Sequence, residues 1–110
     1  MSKVVQFSKG SIIFFEGDKD ENIYILQSGA VALRSMDLET GEQISEQLHI
    51  GEFFGVKSAL AKMPSLVTAS VLVDSTVVQL SVYEFEKMFG SKAFITEKML
   101  RVFSKSLRDI

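Results

Sequence analysis

Gly51-Glu52-Phe53-Phe54-Gly55-Val56-Lys57-Ser58-Ala59-Leu60-Ala61-Lys62-Met63-Pro64 is the stretch whose reading settles the architecture. Two glycines bracket an aromatic pair, and the second is followed at once by helix-forming residues that run to the chain's one proline. This pattern predicts a loop feeding a short helix. The first amides of such a helix have no intrahelical partner, and together with the helix dipole they attract anions. The flanking sequence reads as strands. The helix is therefore an insertion in a β scaffold, and it is the one place where the pattern points to a ligand rather than to scaffold.

Upstream, Gly10, Gly17, Gly29 and Gly41 separate short apolar segments. Residues 11–15, 22–27 and 30–33 are rich in β-branched and aromatic residues and too short for helices, so each is predicted as a strand. Residues 37–42 read as a hairpin tip leading into a strand over 43–50. Downstream, residues 67–73 alternate, with Val67, Ala69, Val71 and Val73 on one face. Asp74-Ser75 then reads as a turn into a strand over 76–80. Several short strands at near-regular spacing predict a sandwich or roll.

The period changes after residue 80. Ser81 and Glu84 have the spacing of a capping box, and a helix through Met88-Phe89 is expected to stop at Gly90. Ser91 can cap a second helix, on which Ile95, Met99, Val102 and Phe103 begin an apolar stripe. That stripe either packs on the roll of its own chain or forms a homodimer interface. The expected fold is mainly β, of the α+β class. One domain covers 1–110, with the roll over about 4–80 and C-terminal helices over about 82–110.

The 110 residues are 46% hydrophobic and 24% charged, enough apolar content for one core and inconsistent with a disordered chain. No apolar run is long enough to span a bilayer or to serve as a signal peptide. Cysteine is absent, which removes disulfides, thiol catalysis and thiolate metal sites. A cytoplasmic protein is expected. The net charge of −2 divides into nine acids against four bases in residues 1–55, and five against eight in residues 56–110. The late bases lie on the polar side of the terminal helix pattern and read as a solvated face, so no direct nucleic-acid contact is expected.

Catalytic groupings are poor. His49 is the only histidine, and no ligand cluster accompanies it. The acidic run at 16–21 lacks the spacing of a calcium loop and reads as a solvated turn. No serine sits in a nucleophile elbow. The chain is expected to be no enzyme and to hold no metal or cofactor.

Gly10, Ile12, Glu16-Gly17-Asp18, Tyr24-Ile25 and Ser28-Gly29 occur in order, followed by Gly51, Phe53, Phe54-Gly55, Ala59-Leu60 and Pro64. This ordered set, from about residue 7 to 89, resembles the cyclic nucleotide-binding domain family, to which the catabolite activator sensor domain belongs. The resemblance implies an eight-stranded jelly roll (double-stranded β-helix) with helices at its ends and a role in signal transduction. It also implies a phosphate-binding cassette over 51–68 that takes cAMP or cGMP. On it the candidate ligand-binding residues are Phe54, Gly55, Val56, Lys57, Ser58 and Ala59, with Ser65, Leu66 and Thr68 after the proline.

In that family an acidic residue directly after Phe-Gly holds the ribose hydroxyl, and an arginine directly after the proline pairs with the phosphate. Here those positions are Val56 and Ser65. Charged hydrogen bonds are worth about 1.5–3 kcal/mol each, so losing both predicts nucleotide affinity lower by about two to four decades. The expected function is a regulatory module that binds cAMP or cGMP weakly or takes an altered small anion. The alternative is a ligandless interaction module that dimerises through Ile95, Met99, Val102 and Phe103.

Overall fold

The computed structural model describes residues 2–89. Six strands and two helices follow in the order β1 (Lys3–Phe7), β2 (Ile12–Phe14), β3 (Asn22–Met36), β4 (Gln43–Gln47), β5 (Phe53–Phe54), α1 (Val56–Ala61), β6 (Thr68–Ser81) and α2 (Val82–Phe89). All pairings are antiparallel, with β6 between β1 and β3 and β4 on the far side of β3. β2 pairs with β6 and β5 with β3.

The two long strands organise everything else. Residues 22–27 and 30–33 are not separate strands but parts of β3, and no turn forms at Asp74-Ser75, which lies inside β6. What the sequence announces as two breaks is one irregularity in a shared ladder. Tyr24 is opposite Gln79 and Leu33 opposite Ala69, with register shifts between Leu26 and Val31. Each long strand therefore contributes two ladder segments, and six continuous strands supply the eight segments of a jelly roll.

Gly29 and Ser75 make that irregularity possible. Gly29 has φ +95°, and a Cβ there would lie 2.6 Å from the Ser75 Cα. The backbone freed by the bulge is satisfied by Ser75, which is buried. Its hydroxyl accepts the Ala30 amide at 3.0 Å and donates to the Val73 carbonyl at 2.7 Å. A serine that can replace ladder hydrogen bonds turns a predicted loop into a bulge.

Strand alternation sorts the core into two clusters. Tyr24, Leu26, Phe54 and Val77 point into the roll beside Phe14, Val31 and Leu33. Their sequence neighbours Ile23, Phe53 and Val78 face the other way, into a cluster with Val56 and Ala59 of α1 and Phe85 of α2. Phe53 meets Phe85 edge-on at 5.4 Å. The roll thus has a helix-covered outer face.

The capping box forms as the spacing predicts. The Ser81 amide donates to Glu84 Oε1 and the Glu84 amide to Ser81 Oγ, both at 3.1 Å. Strand β4 ends at Gln47, short of the predicted residue 50, because 49–52 turns on itself: the His49 amide donates to Glu52 Oε1 and the Glu52 amide to the His49 carbonyl. Gly90, Ser91 and the stripe residues Ile95, Met99, Val102 and Phe103 lie outside the described residues. Among the described residues no helix is long and apolar enough to cross a membrane.

Candidate functional site

The site is built where β5 hands over to α1. Gly55 is the N-cap, held in the left-handed region at φ 75°, ψ 8°, with no side-chain cap. Its Cβ position is 3.4 Å from the Asn22 carbonyl oxygen and from the Tyr24 ring. The left-handed backbone is what favours glycine here, since a Cβ would meet the aromatic wall behind it only in ordinary van der Waals contact. That wall is Phe14, Tyr24 and Phe54, with ring centroids 5.3–6.1 Å apart. Tyr24 is fixed further by its hydroxyl, which donates to Asp20 Oδ2 at 2.6 Å. Burial, then the hydrogen bond to Asp20 and the charge of that carboxylate, push the phenol above its ordinary 10.0, against a smaller opposing effect of Asn22.

Helix α1 is a turn and a half. The Ala59 amide reaches the Gly55 carbonyl at 3.2 Å, while the three amides before it precede the first possible intrahelical acceptor. At the other end Lys62 adopts a left-handed conformation, φ 53°, and its amide and that of Met63 return to the Ser58 carbonyl. The Ser58 hydroxyl donates to the Met63 carbonyl at 2.5 Å. The helix is thus closed on itself, and its serine is occupied in closing it.

Beside α1 is a partly open cleft with a volume of about 30 Å³, room for a water or two. Gly55, Val56, Lys57, Ser58, Ser65 and Leu66, six of the nine candidate ligand residues, line it. The other three do not. Phe54 and Ala59 are core residues, in the inner and outer clusters respectively. The Thr68 hydroxyl accepts the Glu16 amide at 2.9 Å. Sequence reasoning misses Phe14, Leu33, Met63 and Val67, which together with Pro64 complete the lining. Their apolar character was visible, but Phe14 and Leu33 are remote from the cassette in sequence and reach the cleft only through the fold.

The two positions that should carry charge are folded inward. Val56 is buried and belongs to the cluster that contains Phe85. Ser65 is buried too, and its hydroxyl donates to the Val67 carbonyl at 2.7 Å and accepts the Val67 amide at 3.3 Å. The backbone of Ser65 is tied to the Glu16-Gly17-Asp18 loop. The Gly17 amide donates to the Ser65 carbonyl at 2.7 Å, and the Ser65 amide to the Asp18 carbonyl at 2.8 Å. The loop itself is closed by the Phe15 amide on Asp18 Oδ2 at 3.0 Å.

His49 is exposed, and among the described residues no group of three or more metal-ligating side chains occurs. Among the described residues Lys57 is the only charged one on the cleft.

A family model for the cyclic nucleotide-binding domain matches residues 4–92. The cAMP-dependent protein kinase regulatory subunit of Blastocladiella emersonii is 25% identical over 101 residues, covering 92% of this chain and 25% of that protein. Among solved structures, the catabolite activator protein of Thermus thermophilus superposes with a TM-score of 0.81 at 22% identity, over 98% of this chain and 51% of that one. The regulatory subunit of a cAMP-independent protein kinase A from Trypanosoma brucei gives a TM-score of 0.75 at 18% identity, over 91% of this chain and 37% of that one. The chain spans a quarter to a half of these proteins' lengths.

Proposed function

The chain belongs to the cyclic nucleotide-binding domain family, and from that premise we propose that it is a regulatory, non-catalytic domain whose cassette holds cAMP and cGMP only weakly and instead meets a small anion through Lys57. The observation that carries this is the fate of Val56 and Ser65. A carboxylate at the first would receive ribose hydroxyls and a guanidinium at the second would clamp the phosphate. Here the first side chain packs against apolar neighbours and the second spends its hydroxyl on Val67. Neither offers a charge, and the Ser65 hydroxyl has no donor left for a phosphate.

The cleft keeps one cation. Lysine is a point charge rather than a planar fork, so it suits a compact anion better than a phosphodiester that needs two parallel hydrogen bonds. The fold alone does not choose the ligand, since it superposes on proteins described both as cAMP-bound and as cAMP-independent. A cytoplasmic setting, without membrane or nucleic-acid contact, belongs to the same proposal.

Thermal unfolding with cAMP and cGMP tests this reading. A ligand at a hundred times its dissociation constant adds about 2.7 kcal/mol. The proposal expects no measurable rise in Tm at sub-millimolar nucleotide. A rise of several degrees there would refute it.

A second reading is favoured by the small volume of the cleft: a ligandless module that works as a homodimer through Ile95, Met99, Val102 and Phe103. Light scattering of the chain beside a Val102→Glu, Phe103→Glu variant separates the two. A dimer that the double change dissociates supports it, and monomers in both cases remove it.

A further inference from the structure

The lining of the cleft narrows the anion to a class. Its buried floor is apolar, formed by Phe14, Leu33, Val56 and Val67, and its rim carries the half-exposed Met63 and Leu66. The side-chain hydroxyls that touch it are Ser58 and Ser65, and both donate to carbonyls of their own loop. No neutral side-chain donor is left for a polyhydroxylated body such as a sugar. The one charge is the Lys57 ammonium, which has no carboxylate partner among the described residues.

We infer that this cleft binds a short amphipathic monocarboxylate, its apolar end on the floor beside Phe14 and Leu33 and its carboxylate at Lys57. The inference rests on the reading that the cassette is a ligand site without its nucleotide-holding residues. Three features support it. Hydroxyls buried against the apolar floor of Phe14, Leu33 and Val67 would be stranded there, at about 1–3 kcal/mol each, whereas an alkyl chain loses nothing. A single carboxylate matches a single ammonium, so one charge pair is made and none is left over. The partly open space of about 30 Å³ admits only the end of a chain, and the remainder lies along Met63 and Leu66, which supply apolar surface at the rim.

The test uses hexanoate and hexanamide, equal in length and different in charge, titrated into the full chain while backbone amide resonances are followed. Hexanoate should shift the amides of Lys57, Ser58 and Leu66 saturably, with a dissociation constant about tenfold below that of hexanamide, equivalent to about 1.4 kcal/mol. In Lys57→Gln the acid should bind no better than the amide. Equal affinities for the two in the parent chain, or no saturable shift at about 20 mM hexanoate, overturn the carboxylate assignment. Shifts scattered away from the cleft overturn it as well. A parallel titration with cAMP separates the levels: micromolar cAMP binding overturns the reading underneath, whereas silence from both cAMP and hexanoate overturns the carboxylate alone.

Discussion

Asp18 and Ser65 are joined backbone to backbone, the Ser65 amide donating to the Asp18 carbonyl at 2.8 Å while the neighbouring Gly17 amide reaches the Ser65 carbonyl at 2.7 Å. With the Glu16 amide on Thr68 Oγ1, the Glu16-Gly17-Asp18 loop is fastened across the whole second half of the cassette. The hydroxyl of Ser65 completes this fastening from within through Val67. Ser65→Ala should therefore destabilise the domain by about 1–2 kcal/mol, the cost of an orphaned buried partner, read by urea denaturation. A change below a few tenths would mean the hydroxyl is not structurally engaged.

Gly29→Ala meets the Ser75 backbone. The added Cβ would lie 2.6 Å from Ser75 Cα and 2.7 Å from the Asp74 carbonyl oxygen, at a φ that L-residues avoid. The strain alone costs about 1–3 kcal/mol and the clash adds to it. For a domain of this size each kcal/mol lowers Tm by about 4–8 °C, so a drop of at least about 10 °C is expected in a thermal melt. An unchanged Tm would show that the two long strands can separate at this point without cost.

Phe85→Ala removes the aromatic that the outer cluster shares with α1. Truncating a buried phenylalanine costs about 3–5 kcal/mol. Because Val56 and Ala59 belong to the same cluster, hydrogen exchange should accelerate in α1 as well as in α2. Faster exchange confined to α2 would show that the cassette helix is held independently.

The Tyr24 phenol gives a pH dependence. Its value is raised in the folded protein, so folding favours the protonated form. That stability is complete below the ordinary value of 10.0 and is lost as pH rises from there towards the folded value. Denaturation midpoints should fall above pH 10 more steeply in the parent chain than in Tyr24→Phe. Parallel pH profiles would contradict the combined effect of burial and the Asp20 contact on the phenol.

Val56 lines the cleft and also packs in the cluster with Ile23, Leu80 and Phe85, so Val56→Glu alone places an unliganded carboxylate at their boundary. An unpaired buried charge costs several kcal/mol or stays protonated, so this variant should lose about 2–4 kcal/mol at neutral pH and recover part of it in acid. Stability independent of pH would mean that the side chain at 56 swings out to solvent.

These expectations also mark what could be read from the chain. The capping box at Ser81 and Glu84 was legible because all its groups lie within one turn. The start of α1 after Gly55 was legible for the same reason. The merger of the strands on either side of Gly29 was not, because Ser75, which resolves it, is 45 residues from Ala30. The fastening of Glu16 to Thr68 spans 52 residues and leaves no local trace. At the site, the family resemblance pointed to Val56 and Ser65, but only packing reveals that Val56 also joins the cluster beneath α2 and that Ser58 and Ser65 satisfy their own loops.

The central claim, that replacing an acid and an arginine by Val56 and Ser65 removes tight nucleotide binding, is tested most directly by calorimetric titration of cAMP into the chain and into a Val56→Glu, Ser65→Arg variant. The account predicts a parent dissociation constant of about a millimolar or weaker and a variant at least about a hundredfold tighter. A micromolar dissociation constant in the parent chain would contradict it.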